Sequence, residues 1–246
     1  MMLKNSDRLG HARRVLAGVE TGWRAVGSNS GWTIPLSLPA IDACLGSGGI
    51  TVPALHEVHG GAGNGAASGF ALWLAGRAAA QAAGAVFWIS APGIGDADAL
   101  YPPALPRSLQ NRLVMVGARQ RRDVLWAFEE ILVSGQAACV IAETPGMDLT
   151  AARRLQLASE RGRSLAVALC RPKKTGQPMK AGNSVARTRW RIATCRQGWQ
   201  LQLMGGRGVR PGEWKVIPKT DATAFSLHLV SASGDGPLPQ QQNAAA

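Results

Sequence analysis

The stretch LHEVHGGAGNGAASGFALWLAGRAAAQAA, from Leu55 to Ala83, decides the fold of this chain. It begins with a short apolar strand over Leu55 to His59, passes through a glycine-rich turn over residues 60–68 and continues as a long Ala/Leu-rich helix that stops at Gly84. Free backbone N–H groups and the positive end of the helix meet in such a turn, and this geometry binds phosphate groups. The stretch therefore predicts a phosphate loop after the first core strand.

The loop departs from the phosphate-loop pattern GxxxxGK[ST] at the two positions whose side chains contact phosphate and Mg²⁺. Gly60 and Gly65 have the spacing of the pattern. Ala66, however, stands where the phosphate-contacting lysine belongs, and Ala67 stands where the Mg²⁺-binding hydroxyl belongs. Ser68 offers a hydroxyl one residue further on, but we expect no residue to restore the cation. The loss of both groups predicts a pseudo-ATPase with no catalytic residue and no required cofactor, while weak ATP binding stays open.

Glu143 ends the apolar run 138–142, where a phosphate-loop enzyme keeps the acidic residue that helps to hold Mg²⁺. A solvated charge at a strand end is the other interpretation of this residue. The candidate residues of a vestigial nucleotide site are Gly60, Gly61, Gly65, Ser68 and Glu143. His56 and His59 lie on the first strand without a carboxylate at ligand spacing, so no metal site is predicted.

Composition sets broad limits on fold and partners. The chain has 246 residues, of which 46% are hydrophobic, enough for one large α/β domain with appendages or for two small domains. The net charge of +12 favours an anionic partner, and nucleic acid, a membrane surface and an acidic protein all satisfy it. The four cysteines form no CxxC pair, which argues against a zinc site or a disulfide framework. Without the apolar core of a signal peptide, a soluble cytoplasmic protein is expected.

Apolar runs and helical segments alternate after the loop. The runs cover residues 85–90, 113–117, 138–142 and 165–169, and the helices cover residues 97–109, 123–134 and 150–160, with Thr150 as an N-cap and Gly135 and Gly162 at C-caps. This alternation predicts an α/β fold with a mostly parallel sheet flanked by helices on both faces. Three more candidate strands, at 188–195, 198–204 and 213–217, predict a C-terminal antiparallel extension of that sheet.

The domain organisation follows from these patterns. Residues 1–26 are predicted to hold a docking helix whose apolar face packs on its own domain or on a partner, and residues 27–40 are rich in Gly, Ser and Pro and are interpreted as a linker. Residues 41–218 form the α/β domain with the degenerate loop. From residue 219 to 246, Ser, Gly, Pro and Gln dominate, which predicts a flexible tail.

Cations are concentrated in the C-terminal third. The candidate nucleic-acid-binding residues form two groups, the loop residues Lys173, Lys174 and Lys180 and the alternating residues Arg187, Arg189 and Arg191. The period of two places the arginines on one face of a strand, where a row of guanidiniums suits a phosphate backbone. An acidic protein partner and a merely soluble surface are the other interpretations. Trp190 points to the opposite face and is expected to lie in the core.

Taken in order, these features resemble the RecA recombinase core. The segments that carry the resemblance are 41–50, similar to its approach segment, 55–68, similar to its phosphate loop, 85–103 and 140–143, similar to its catalytic and Mg²⁺-site strands, and 166–191, similar to its sensor strand and second DNA-binding loop. Pro92 falls where the family has its catalytic glutamate, and Cys170 or Arg171 falls where it has its nucleotide-sensing glutamine. The resemblance therefore implies a RecA-like fold that has lost its ATPase.

More specifically, the chain resembles the ImuA family, the RecA-like accessory proteins of bacterial inducible mutagenesis. The phrases that carry this resemblance are AASGFAL (66–72), DVLWA (123–127), DLTA (148–151) with RRLQL (153–157), ARTRW (186–190) and PGEW (211–214). It implies a non-catalytic adaptor in SOS-induced error-prone translesion DNA synthesis. The implied partners are an ImuB-like Y-family protein and an error-prone C-family DNA polymerase, with RecA and DNA as further candidates and no membrane. An ATP-dependent DNA-binding RecA paralogue and a SulA-type cell-division inhibitor remain alternatives.

Overall fold

The computed structural model describes residues 31–61, 65–91, 100, 105–171, 184–220 and 225–233. The predicted docking helix at residues 1–26 and the loop residues Lys173, Lys174 and Lys180 lie outside the described residues. The described helices are α1 (Pro39–Asp42), α2 (Gly65–Gln81), α3 (Arg107–Gln110), α4 (Arg121–Val133) and α5 (Leu149–Gly162). None of them is both long and apolar enough to cross a membrane.

The described strands outnumber the helices. They are β1 (Trp32–Ile34), β2 (Ile50–Val52), β3 (Ala54–Gly60), β4 (Ala85–Ser90), β5 (Leu113–Gly117), β6 (Ala137–Thr144), β7 (Leu165–Cys170), β8 (Thr188–Cys195), β9 (Gly198–Gly206), β10 (Gly212–Thr220) and β11 (Phe225–Ser233). Nine of them form one sheet in the order β11-β10-β9-β8-β3-β7-β6-β4-β5. The six strands from β8 to β5 are parallel, whereas β9, β10 and β11 are antiparallel. The predicted α/β RecA-like fold with its antiparallel extension is therefore confirmed.

The sheet separates two hydrophobic cores. Successive residues of β7 alternate between them, with Val167 on the side of α2 and Ala168 on the side of α4 and α5. Since both faces are covered by helices, the central strands must be apolar on both sides, and all six residues of β4 and of β7 are buried. This is why the parallel strands are readable as continuous apolar runs.

A row of aromatic rings joins α2 to the antiparallel strands. The ring centroids of Phe70 and Trp190 are 5.4 Å apart, and those of Trp190 and Trp214 are 6.3 Å apart, distances typical of favourable aromatic pairs. Trp190 is fully buried, as expected from its position between two arginines. The antiparallel extension therefore shares the core of the parallel sheet.

Two predicted boundaries differ from the structure. In the predicted linker, residues 32–34 form β1, and the side chains of Leu36 and Leu38 are buried while their N–H groups donate to the Asp42 carboxylate. In the predicted tail, β11 pairs with β10 over eight positions, so the prediction does not hold for residues 225–233. Polar and turn-forming residues are frequent in both segments, and the alternating apolar residues among them decide the packing.

The ends of α5 also differ from the prediction. Asp148, not Thr150, is the N-cap, because its carboxylate accepts a hydrogen bond of 2.7 Å from the Ala151 N–H. Gly162 lies inside the helix, and Arg163 is the left-handed residue that ends it. A Cβ atom on Gly162 would lie 1.5 Å from the Leu132 carbonyl oxygen, so this glycine allows α4 and α5 to pack closely.

His56 connects three strands through a buried chain of hydrogen bonds. Its Nε2–H donates to the Thr51 carbonyl of β2 at 2.9 Å, and its Nδ1 accepts from the Thr188 hydroxyl of β8 at 2.7 Å. The Thr188 oxygen in turn accepts from the Trp190 indole N–H at 2.8 Å. Burial, with a smaller contribution from the nearby Arg187 charge, lowers the pKa of His56 from 6.5 to about 4. His56 therefore acts as a neutral hydrogen-bonding link between these three strands.

This histidine predicts an acid-sensitive contribution to stability. Because the folded state disfavours the charged imidazole, the stabilisation is complete above pH 6.5 and is lost as the pH falls towards 4, at about 1.4 kcal/mol per pH unit. We expect the loss of unfolding free energy from pH 6.5 to 4.5, measured by urea denaturation, to be smaller in His56→Gln than in the unsubstituted protein. Substitution of the exposed His228 by Gln should leave that loss unchanged, and an equal loss in all three proteins would contradict the assignment.

Candidate functional site

The degenerate loop joins the end of β3 to the start of α2. Ala66 and Ala67, at the positions of the missing lysine and hydroxyl, are both buried in the core under α2. A Cβ atom on Gly60 would lie 2.3 Å from the Ala67 Cβ, so the strand end and the helix touch at this point. Ala66, Ala67 and Gly60 therefore contribute to packing. In a nucleotide-binding loop, the positions of the two alanines hold the lysine and the hydroxyl that contact phosphate and Mg²⁺.

Arg171 brings a cation to the loop from another strand. It follows the last residue of β7 and is only 3% exposed. Its Nη1 donates to the Gly61 carbonyl at 3.4 Å, and its Nη2 donates to the Ser68 hydroxyl in the first turn of α2. A guanidinium from outside the loop therefore reaches it, a contact that the local sequence did not indicate.

Glu143 neutralises this guanidinium. The Arg171 Nε lies 3.4 Å from the Glu143 Oε1, and the Glu143 side chain is shielded from solvent together with its partner. The interpretation of Glu143 as a solvated charge at a strand end is thus wrong for this structure. β6 and β7 are adjacent and parallel, so residues that follow or end them meet at one edge of the sheet. This adjacency is the signal from which the pair could have been found.

The Arg171 side chain links four elements, and its charge already has partners inside the protein. Through one side chain, the end of β7 contacts the residue after β3, the first turn of α2 and the end of β6. A lysine in a working loop is a point charge that reaches the transferred phosphates. Here the cation already has internal carboxylate and hydroxyl partners. Of the predicted nucleotide residues, Gly61, Ser68 and Glu143 are brought together by Arg171, which the prediction did not include.

A second polar cluster lies beside the arginine strand. Glu57 of β3 is buried and accepts hydrogen bonds from His59, at 3.1 Å, and from the Ser184 hydroxyl. Burial alone would raise the pKa of Glu57, but these two hydrogen bonds, with the charges of His59 and Arg189, hold it below its ordinary value. The cluster therefore contains a buried carboxylate that stays ionised next to the predicted basic row.

The structure distinguishes the three candidate arginines. Arg189 and Arg191 lie on the face of β8 opposite to the buried Trp190, as predicted, and Arg187 directly precedes the strand. In the strand register, Arg189 is opposite Glu57, so part of its charge is balanced locally. Arg191 is exposed and donates to the Gln202 side chain at 3.4 Å. Of the three, Arg191 offers its charge most directly to a partner.

The comparisons with known proteins agree with the family resemblance that the sequence phrases indicate. No family model matches the chain. Two curated proteins called Protein ImuA, from two strains of Caulobacter vibrioides, are each 34% identical to it over 197 residues, which cover 72% of this chain and 79% of theirs. A likeness of this length includes most of the described domain.

The buried pair predicts strong coupling between its two residues. Removing the guanidinium in Arg171→Met takes its counter-charge away from a buried carboxylate, so we expect a loss of about 3–5 kcal/mol in unfolding free energy. Adding Glu143→Gln removes the buried charge and should recover part of that loss. Urea denaturation of the two single variants and the double variant measures this coupling.

The exposed pair Arg154–Glu129, which joins α5 to α4, is the matched control for this measurement. Arg154→Met should cost no more than about 1 kcal/mol, since a solvent-exposed pair contributes little. If Arg171→Met costs no more than Arg154→Met, and its effect simply adds to that of Glu143→Gln, the buried pair does not have the structural role assigned to it.

Proposed function

Because the chain belongs to the ImuA family of inducible-mutagenesis accessory proteins, we propose that it is a non-catalytic RecA-like adaptor in SOS-induced error-prone translesion DNA synthesis. The observation that carries the non-catalytic part is the buried Arg171–Glu143 pair at the degenerate loop. A guanidinium that already serves a carboxylate, a hydroxyl and a carbonyl supports the fold of the loop rather than the turnover of a nucleotide.

The energetics support this assignment. To bind a triphosphate, Arg171 would have to turn away from Glu143 and leave a carboxylate buried without its partner. Breaking a buried pair in this way costs several kcal/mol, and the released carboxylate would repel the phosphates. The positions of the lysine and the Mg²⁺-binding hydroxyl hold buried methyl groups, so neither of these two positions offsets that cost.

The proposed partners are those of an accessory factor. An ImuB-like Y-family protein and an error-prone C-family DNA polymerase are the proposed protein partners, with RecA and DNA as further ones. The net charge of +12 supports attraction to a polyanion. The sheet face that carries Arg191 on β8 and the exposed Lys215 on β10, two strands away, is the proposed site for DNA. In this view, the protein holds DNA and polymerase components together without consuming ATP.

Gly65→Asp separates this proposal from the ATP-dependent paralogue. Gly65 begins α2, and a side chain built there meets no described atom within 4 Å. A carboxylate at this helix start is tolerated by the fold but repels phosphate groups. For an adaptor, we expect ultraviolet-induced mutation frequency in a complemented deletion strain to stay unchanged, and the purified protein to show no ATP turnover before or after the substitution.

The control for this experiment is Gly60→Val, which should abolish induced mutagenesis because its side chain collides with Ala67. ATP turnover by the unsubstituted protein that Gly65→Asp removes, together with loss of induced mutagenesis in a folded variant, would establish the ATP-dependent alternative instead.

Arg191→Glu tests the proposed DNA surface. If this guanidinium neutralises a phosphate, we expect the affinity for a single-stranded oligonucleotide to fall about tenfold, with a salt dependence shallower by about 0.7 in the logarithmic plot. Fluorescence anisotropy at several salt concentrations measures both quantities. Arg122→Glu makes the same charge change on the exposed side of α4 and should have a smaller effect. Equal effects of the two substitutions would remove the assignment of DNA to this face.

A further inference from the structure

The last strand of the sheet has an open edge. β11 pairs with β10 on one side and with no described strand on the other, so half of its backbone N–H and C=O groups face outward. The strand is nine residues long and contains no Lys, Arg, Asp, Glu or Pro. Proteins usually protect edge strands by charges, by proline, by bulges or by keeping them short, because an open edge can pair with another chain. β11 has one irregularity, at Val230 between the paired residues Leu229 and Ser231, and its other positions pair regularly with β10.

The opposite edge of the sheet is different. β5, with five residues, forms that edge, and its exposed Met115 is followed by a glycine at the end of the strand. A five-residue strand offers few backbone groups for pairing. Of the two edge strands, β11 therefore offers more backbone groups for pairing with another strand, and β5 provides a comparison within the same protein.

The apolar face of β11 continues beyond the covered core. Leu227 is buried and lies opposite Pro218, while Leu229 lies opposite the buried Val216. Leu229 is nevertheless 39% exposed, and Val230, beside the irregular pairing at Lys215, is 54% exposed. One more strand with apolar residues at alternate positions would cover Leu229 and complete this layer.

The other face of β11 has a polar character with neighbouring cations. Ser226 lies opposite Lys219 and Ser231 lies opposite Lys215, and both lysines are exposed on β10. A strand added outside β11 would have its polar side chains on this face, within reach of the lysines across the small serines. Acidic side chains complement these charges.

We propose that the open edge of β11 binds an extended acidic segment of a partner protein, which adds to the sheet as a further strand. Its backbone pairs with β11, its apolar residues cover Leu229, and its acidic residues face Lys215 and Lys219. This is recognition by strand addition, in which the main chain supplies affinity and alternate side chains supply specificity. A second copy of the chain fits less well, because each copy carries a net charge of +12.

Peptide binding to the full chain tests this surface. The probe is a fluorescein-labelled peptide of nine alternating valine and glutamate residues, and anisotropy measures its affinity. A peptide in which proline replaces alternate valines keeps the charge but cannot pair as a strand, and a valine–lysine peptide reverses the charge. We expect both to bind at least about tenfold more weakly than the valine–glutamate peptide.

Substitutions on the protein complete the test. Leu229→Thr, at a partly exposed position, removes an apolar contact without changing the charge and should weaken binding of the valine–glutamate peptide about tenfold without loss of the circular dichroism signal, whereas Met115→Thr on the other edge strand should leave it unchanged. Equal binding of the proline peptide, or an undiminished affinity of Leu229→Thr, would overturn the proposal. A dimer in sedimentation analysis that Leu229→Thr dissociates would overturn it in favour of a second copy. None of these results depends on the nucleotide loop.

Discussion

A buried guanidinium and a buried carboxylate hold together the edge of this sheet at which the parallel strands end. Arg171 and Glu143 come from the ends of neighbouring strands, and the guanidinium also reaches the carbonyl of Gly61 and the hydroxyl of Ser68. Two buried charges are stable only as long as each has the other, so neither can be recruited for a ligand without a large cost. The proposal that the protein works without ATP turnover rests on this pair, because it keeps the cation near the degenerate loop from contacting a phosphate.

The order of the central strands could be predicted because burial on both faces leaves a clear trace in the sequence. β4 and β7 are continuous apolar runs, and helical segments of ordinary length separate them, so a parallel sheet was the natural prediction. The packed segment at 31–40 and the edge strand β11 were not predictable in the same way. Their apolar residues alternate with polar ones over only a few positions, next to stretches rich in Gly, Ser, Pro or Gln, and the contacts with α2 and β10 make them structural.

The candidate site was predicted in part, for a related reason. Ala66 and Ala67 are adjacent in the sequence, so the missing lysine and hydroxyl were visible there. The cation that replaces them comes from residue 171, more than a hundred positions away, and its meeting with Ser68 depends on β7 lying next to β3. Local spacing carries no information about such a contact, whereas strand order does. The same limit explains why Arg189 and Arg191 had the same predicted role. In the structure their surroundings differ, because of these two only Arg189 lies opposite Glu57.

Gly60 at the end of β3 and Gly69 in α2 have a reason to be present that does not involve phosphate. A Cβ atom on Gly60 would collide with Ala67, and one on Gly69 would lie 2.6 Å from the Trp199 ring, which covers the first turns of α2. Both positions allow α2 to lie close to the sheet and to the antiparallel strands, and this packing is required whether or not a nucleotide binds. Glycine spacing in a strand–loop–helix unit is therefore weak evidence for nucleotide chemistry on its own. What decides between packing and catalysis is whether a cation near the loop is left available, and here the carboxylate of Glu143 lies against it.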